Sequence, residues 1–206
     1  MKDKNSRSIL NWYYIAVSTA VITIISLVIL YIPGIREFDS GILQITREFL
    51  SPFFPPIIPV ILNEMGNYNH AWLLITSCGI LVSHKYYLKA FLLIFFTQAA
   101  YVLTDFLKGV ICRQRPCGNT YPGYSFPSGH SLVGMCFWGI LIYLVIRHVS
   151  GFWKYFLLTL FGAIIVLVAL SRLYLGVHFP LDVISGLLIG FVMVNLYIIL
   201  DKAFSR

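Results

Sequence analysis

An all-α bundle of six membrane-crossing helices, with one amphipathic helix on its surface between the first two spans, is the fold class this sequence predicts. Three observations predict it. Of the 206 residues, 59% are hydrophobic and only 11% are charged, against about 25% charged in a soluble domain. The mean hydropathy is +0.84, more apolar side chain than a core of this length can bury, so lipid must solvate part of it. The apolar residues also come in runs of about 20, enough at about 1.5 Å per residue to cross a hydrocarbon core of about 30 Å.

Residues 1–10 are polar and basic, with Lys2, Lys4 and Arg7 against Asp3. The run at 11–33 is too long for the apolar region of a secretory signal and no small-residue cleavage site follows it; it reads as the first span. Trp12, Tyr13 and Tyr14 at one end and Tyr31 at the other suit interfacial aromatic belts. Residues 39–50 set Ile42, Leu43, Ile45, Phe49 and Leu50 at helical spacing, with charges opposite. This is the amphipathic helix expected at the membrane surface. Pro52, Pro55, Pro56 and Pro59 bar a long regular helix after it.

A second span is expected over 66–83, a tight turn over 84–87 and a third span over 87–110. Residues 111–127 form a polar loop containing Gly and Pro, without hydrophobic periodicity. The fourth span covers 128–146, the fifth 155–174 and the sixth 180–200. Pro180 suits a first helical position, where its missing N–H costs nothing. No internal repeat is visible, and the expectation is one integral-membrane domain over residues 1–206.

Six spans put both termini on one side. That side collects nine cations (Lys2, Lys4, Arg7, Lys85, Lys89, Arg147, Lys154, Lys202, Arg206) against Asp3 and Asp201. The other side holds six cations and six acids. Since Lys and Arg mark the cytoplasmic side, the termini are expected there and the loops after spans three and five outside.

The net charge of +7 therefore reports topology. No basic stripe interleaved with aromatics lies outside the spans, so nucleic acid is not an expected partner. The four cysteines lack metal-ligand spacing. Cys78 and Cys136 sit in apolar runs as small core residues. Cys112 and Cys117 flank residues 113–116 and either close a short disulfide in an oxidising compartment or remain thiols. No feature speaks to oligomeric state.

Lys108, Arg115, Arg172, His130, His178 and Asp182 fall within 75 residues of this oily chain. Ionisable groups are expensive in lipid and usually functional. Any one of the cations is equally well explained as a residue snorkelling at a span end. Three beside two histidines call for a multivalent anion, which Arg forks and a Lys point charge match. Ser128 is an N-cap candidate for the fourth helix, Gly129 lets a ligand approach the backbone, and that helix start favours anions. His178 and Asp182, four apart, allow a carboxylate to hold one imidazole nitrogen and leave the other as a nucleophile. A metal pair is the rival reading; the ligand set is thin and three cations would disfavour a divalent ion. His70, His84 and His148 lie in connecting segments and read as interfacial or solvated.

Lys108, six residues, Arg115-Pro116; then Pro127-Ser128-Gly129-His130; then Ser171-Arg172, five residues, His178, three residues, Asp182: this pattern resembles the three-part signature of the type 2 phosphatidic acid phosphatase family. The resemblance covers about a third of the chain by motif and most of it by span pattern. It implies a membrane lipid phosphatase in which His178 attacks phosphorus, Asp182 orients it, and His130 protonates the leaving oxygen and then activates water. Lys108, Arg115, Arg172, Ser128 and the Gly129 amide would hold the phosphoryl oxygens. It implies no metal and no other cofactor.

The implied substrate is a phosphorylated membrane lipid at the outer leaflet: phosphatidylglycerophosphate, phosphatidic acid, undecaprenyl diphosphate or a lipid A phosphate. The compact size implies a bacterial-type enzyme of the plasma membrane. Phosphotransfer to a second acceptor and non-catalytic transport of a phosphate lipid stay open. A transporter is expected to carry charge near mid-membrane, often in duplicated halves, whereas this cluster lies at one edge.

Overall fold

The computed structural model describes residues 2–55, 62, 71–117 and 121–204, without the side chains of 2–11 and 30. Among them every regular element is a helix: α1 (Lys2–Tyr31), α2 (Ile35–Leu50), α3 (Ala71–Ser83), α4 (Tyr87–Ile111), α5 (Gly129–His148), α6 (Gly151–Tyr174) and α7 (Pro180–Phe204). The all-helical membrane architecture expected from composition is the one observed. Five of these helices (α1 and α4–α7) are long and apolar enough to cross a membrane. The expected second span is represented by α3, whose 13 residues rise only about 20 Å. Residues 66–70, assigned to the same span, lie outside the described residues, as do His70 and the prolines at 56 and 59.

Helix α5 is the centre, packed on α4, α6 and α7, with α1 laid against α7 and α3 against α4. Its Leu132, Val133, Cys136 and Ile140 are fully buried. The tightest seam runs between α5 and α7. A Cβ on Gly186 would stand 2.5 Å from the Ser128 carbonyl oxygen, and one on Gly190 would stand 2.5 Å from that of Leu132. Only Gly fits there, and the Gly-three-residues-Gly spacing is the one that lets membrane helices touch backbone to backbone. This contact fixes the start of α5 against the start of α7, where the signature residues lie.

At the opposite end of the bundle, Asp201 near the end of α7 accepts from Lys89 Nζ at 3.1 Å and from Tyr143 Oη at 2.8 Å. His148 and His84 lie at that end too, their rings against Tyr86. The two ends differ in kind: one is a closed polar staple, the other carries the cluster of candidate functional groups.

The amphipathic helix is present but starts four residues before position 39, after Gly34 in the left-handed region (φ 79°). Phe38, Ile45 and Phe49 on one side of α2 are exposed, as suits an apolar face in lipid. Asp39, Leu43 and Leu50 are buried on the side turned to α6 and α7.

Candidate active site

The loop between α4 and α5 folds back on itself. Ser125 donates from its backbone N to the Arg113 carbonyl oxygen at 2.8 Å, and its hydroxyl bonds the same oxygen at 3.2 Å. This brings Ser125 beneath His178, on the α6–α7 loop. The His178 ring is 3% exposed, and Nδ1 lies 2.8 Å from the Ser125 carbonyl oxygen. Its other nitrogen, Nε2, lies 3.3 Å from Arg115 Nη1.

Those two contacts assign the tautomer. A carbonyl oxygen only accepts and a guanidinium only donates. Nδ1 therefore carries the proton and Nε2 presents its lone pair. Burial pushes the His178 pKa below the ordinary imidazole value, with Asp182 opposing and the Arg115 and Lys108 cations adding to it. The ring is held neutral.

Asp182 was expected to hold the imidazole directly. Its Oδ2 is 3.7 Å from His178 Nδ1, too long for a hydrogen bond, so the carboxylate acts on the ring through charge while the Ser125 carbonyl takes the proton. Oδ2 instead accepts from the Phe179 backbone N at 2.9 Å, a local clamp at the start of α7. The Asp182 carbonyl oxygen accepts from the Ser128 backbone N at 3.0 Å, which ties the two histidine-bearing segments together.

The remaining signature residues arrive from three directions. Arg115 donates from Nη1 to the Val177 carbonyl oxygen at 3.0 Å and from Nε to that of Gly123 at 3.1 Å. Burial lowers its pKa, but a guanidinium starts so high that it keeps its charge. Arg172, at the end of α6, is 3% exposed and donates from Nε to Ser171 Oγ at 3.1 Å; Arg115 and Tyr121 are within electrostatic reach of it. Lys108, in the last turn of α4, points at the start of α5: a Cβ on Gly129 would stand 3.9 Å from its Nζ and 3.0 Å from Thr104 Cγ2. Glycine at 129 thus leaves room for the Thr104 methyl, with the Lys108 ammonium at ordinary contact distance.

Ser128 occupies the N-cap position of α5 but makes no side-chain cap bond. Its buried Oγ accepts from Ser131 Oγ at 3.0 Å instead, so the N–H groups of the first turn are not taken up by that hydroxyl. His130 follows on this first turn, half-buried. Among the described residues no disulfide joins any of the four cysteines, Cys112 and Cys117 included, and no three His, Cys, Asp or Glu side chains gather as a metal site would need.

Two contributors were not foreseen. Ser125 works through its backbone, which carries no residue signature. Arg113 is bonded to two buried carboxylates, Asp182 at 2.6 Å and Asp39 at 2.8 Å. It is thereby distinguished from Arg115, whose guanidinium bonds the backbone carbonyl oxygens of Gly123 and Val177.

The chain resembles known proteins in sequence and in fold. The family model described as the PAP2 superfamily matches residues 88–206, the segment that holds every signature residue. The chain is 32% identical over 181 residues to phosphatidylglycerophosphatase B of Bacillus subtilis strain 168, covering 84% of this chain and 79% of that protein. It is 33% identical over 141 residues to undecaprenyl-diphosphatase of Sulfolobus acidocaldarius, covering 64% of this chain and 63% of that one. The crystal structure of a transmembrane PAP2-type phosphatidylglycerolphosphate phosphatase from Bacillus subtilis superposes with a TM-score of 0.79 at 24% identity, over 94% of this chain and 98% of that one. That likeness speaks for the fold.

Proposed function

The chain belongs to the PAP2 superfamily, and on that premise we propose that this integral-membrane lipid phosphatase cleaves its substrate through a phosphohistidine at His178. The observation that carries the reading is the tautomer: a neutral imidazole with Nδ1–H on the Ser125 carbonyl and its Nε2 lone pair under Arg115. An arriving phosphate draws Arg115 onto its own oxygens and so uncovers the nucleophile it has come to meet.

Nε2 attacks phosphorus, an N–P bond forms, and the bond from phosphorus to the lipid oxygen breaks. The ring becomes cationic, and the Asp182 carboxylate 3.7 Å away stabilises that charge. His130 gives its proton to the departing lipid oxygen. In the second half it takes a proton from water, the resulting hydroxide attacks phosphorus, the N–P bond breaks, and phosphate leaves with Nε2 regaining its lone pair. Lys108, Arg115, Arg172 and the first-turn N–H groups of α5, with Ser128 and the Gly129 amide, hold the phosphoryl oxygens as charge builds on them.

The substrate class is a phosphorylated lipid at the outer leaflet, of the phosphatidylglycerophosphate, phosphatidic acid or undecaprenyl diphosphate kind. The names of the relatives support the first and third. The cation count supports cytoplasmic termini and an active site facing outward.

Inorganic phosphate release by the purified protein across a panel of these lipids tests the reading. Activity is expected with at least one, undiminished by chelator and abolished by vanadate, which mimics five-coordinate phosphorus. Loss of activity on chelation would overturn the mechanism. In the same assay kcat/KM is expected to fall on the acid side only below the ordinary imidazole pKa of about 6.5. The sign follows from His178: protonation removes the attacking lone pair, and burial has moved that protonation to lower pH.

A further inference from the structure

Arg113 stands two positions before Arg115, is 9% exposed, and directs its guanidinium at two carboxylates. Nη1 donates to Asp182 Oδ1 at 2.6 Å and Nη2 to Asp39 Oδ2 at 2.8 Å. The Phe179 ring closes over it, 4.2 Å from Cζ. Asp39 and Asp182 are both 0% exposed. Buried ion networks of this sort add little net stability, because desolvation offsets the attraction. What a fork between two carboxylates does supply is orientation.

The far carboxylate belongs to α2. Asp39 Oδ1 also accepts from the Leu181 backbone N at 3.3 Å. Two turns along, Arg47 Nε donates to the Tyr174 carbonyl oxygen at 3.0 Å, and its guanidinium covers Gly176, where a Cβ would come within 3.2 Å of Arg47 Cζ. Helix α2 therefore grips the segment bearing His178 both before and after the histidine.

We propose that Arg113 is a positioning residue for the reaction: it transmits the placement of α2, through Asp39, to the orientation of Asp182 behind His178. Helix α2 is then part of the catalytic machinery as well as a surface element. The proposal rests on the reading of His178 as nucleophile and Asp182 as the group that stabilises its charge. With Oδ1 fixed by Arg113, Oδ2 is left facing Nδ1, where positive charge develops. A lysine at 113 keeps the charge but offers one point donor in place of the fork, so it serves one carboxylate at a time.

The test uses purified full-length R113K, D39N and the double variant beside wild type, with the best lipid from the panel. Because a lost ion pair lowers folding yield, rates are taken per monodisperse folded protein and thermal unfolding is recorded. R113K is expected to lose up to about 100-fold in kcat with KM within about twofold. D39N is expected to cost less in the R113K background than in wild type, since both act through one contact. Wild-type kcat per folded R113K, a raised KM alone, or additive losses would overturn the proposal. Running His178→Ala alongside separates the failures: phosphate release by that variant removes the underlying reading, whereas an inert His178→Ala beside a fully active R113K removes the positioning role alone.

Discussion

Phosphate release is expected to vanish in His178→Ala while the protein still inserts and folds. The expected loss is about four orders of magnitude or more in kcat, the scale seen when a covalent nucleophile is deleted, or at least about 5.5 kcal/mol in the barrier. Three local facts make the effect so large. The ring is nearly inaccessible to bulk water, its proton is fixed on the Ser125 carbonyl, and its free lone pair faces Arg115. Water admitted by the missing ring would lack both the nucleophilicity and the alignment. The fold has less to lose, because His178 lies on a loop tied independently through Val177, Phe179 and Leu181. Size-exclusion behaviour in detergent checks folding, and phosphate release checks chemistry. A folded variant retaining a tenth of the wild-type rate would contradict the assignment.

The second large effect is expected in His130→Ala, and it depends on the leaving group. General acid catalysis contributes about 10²- to 10⁴-fold. A lipid alkoxide is a much stronger base than a lipid phosphate, so a phosphomonoester needs the proton more than a diphosphate does. His130→Ala should therefore approach the upper limit with phosphatidic acid and lose markedly less with a polyprenyl diphosphate. Equal losses on both substrates would show that His130 serves another purpose, such as holding phosphate. The first turn of α5 suits the acid role: it is locked to α7 by the Gly186 and Gly190 contacts and by Ser128 N on the Asp182 carbonyl. The ring is thus carried by a rigid element beside the proposed phosphate site.

The fold and most of the candidate site were legible because both depend on residue type at fixed spacing. Apolar runs of spanning length gave the long helices, and Lys108, Arg115, His130, Arg172, His178 and Asp182 stand out chemically in an apolar chain. What stayed hidden depends on where the loops travel. Nothing in the letter Ser125 says that its carbonyl will sit under an imidazole. Arg113 looks like a loop cation until the loop folds back and aims it at Asp182. Asp39 reads as one charge on the polar side of an amphipathic helix, and only its partner 2.8 Å away makes it a buried anchor. Ser128 sits at the predicted cap, yet its hydroxyl answers Ser131. The α5–α7 seam escaped notice because the Gly186 and Gly190 spacing, though of the kind that brings membrane helices close, does not say which helix it will meet.

The central claim is that phosphorus passes through His178, and a rapid quench tests it most directly. Wild type and His130→Ala are mixed with a lipid carrying labelled phosphate and denatured within a turnover under alkaline conditions, where phosphohistidine survives. Peptides are then mapped by mass spectrometry. The account predicts a phosphoryl group on His178, accumulating further in His130→Ala if hydrolysis of the intermediate is slowed more than its formation, and released by acid. Label on another side chain, or turnover by direct attack of water with inverted configuration at a chiral phosphorus, would contradict it.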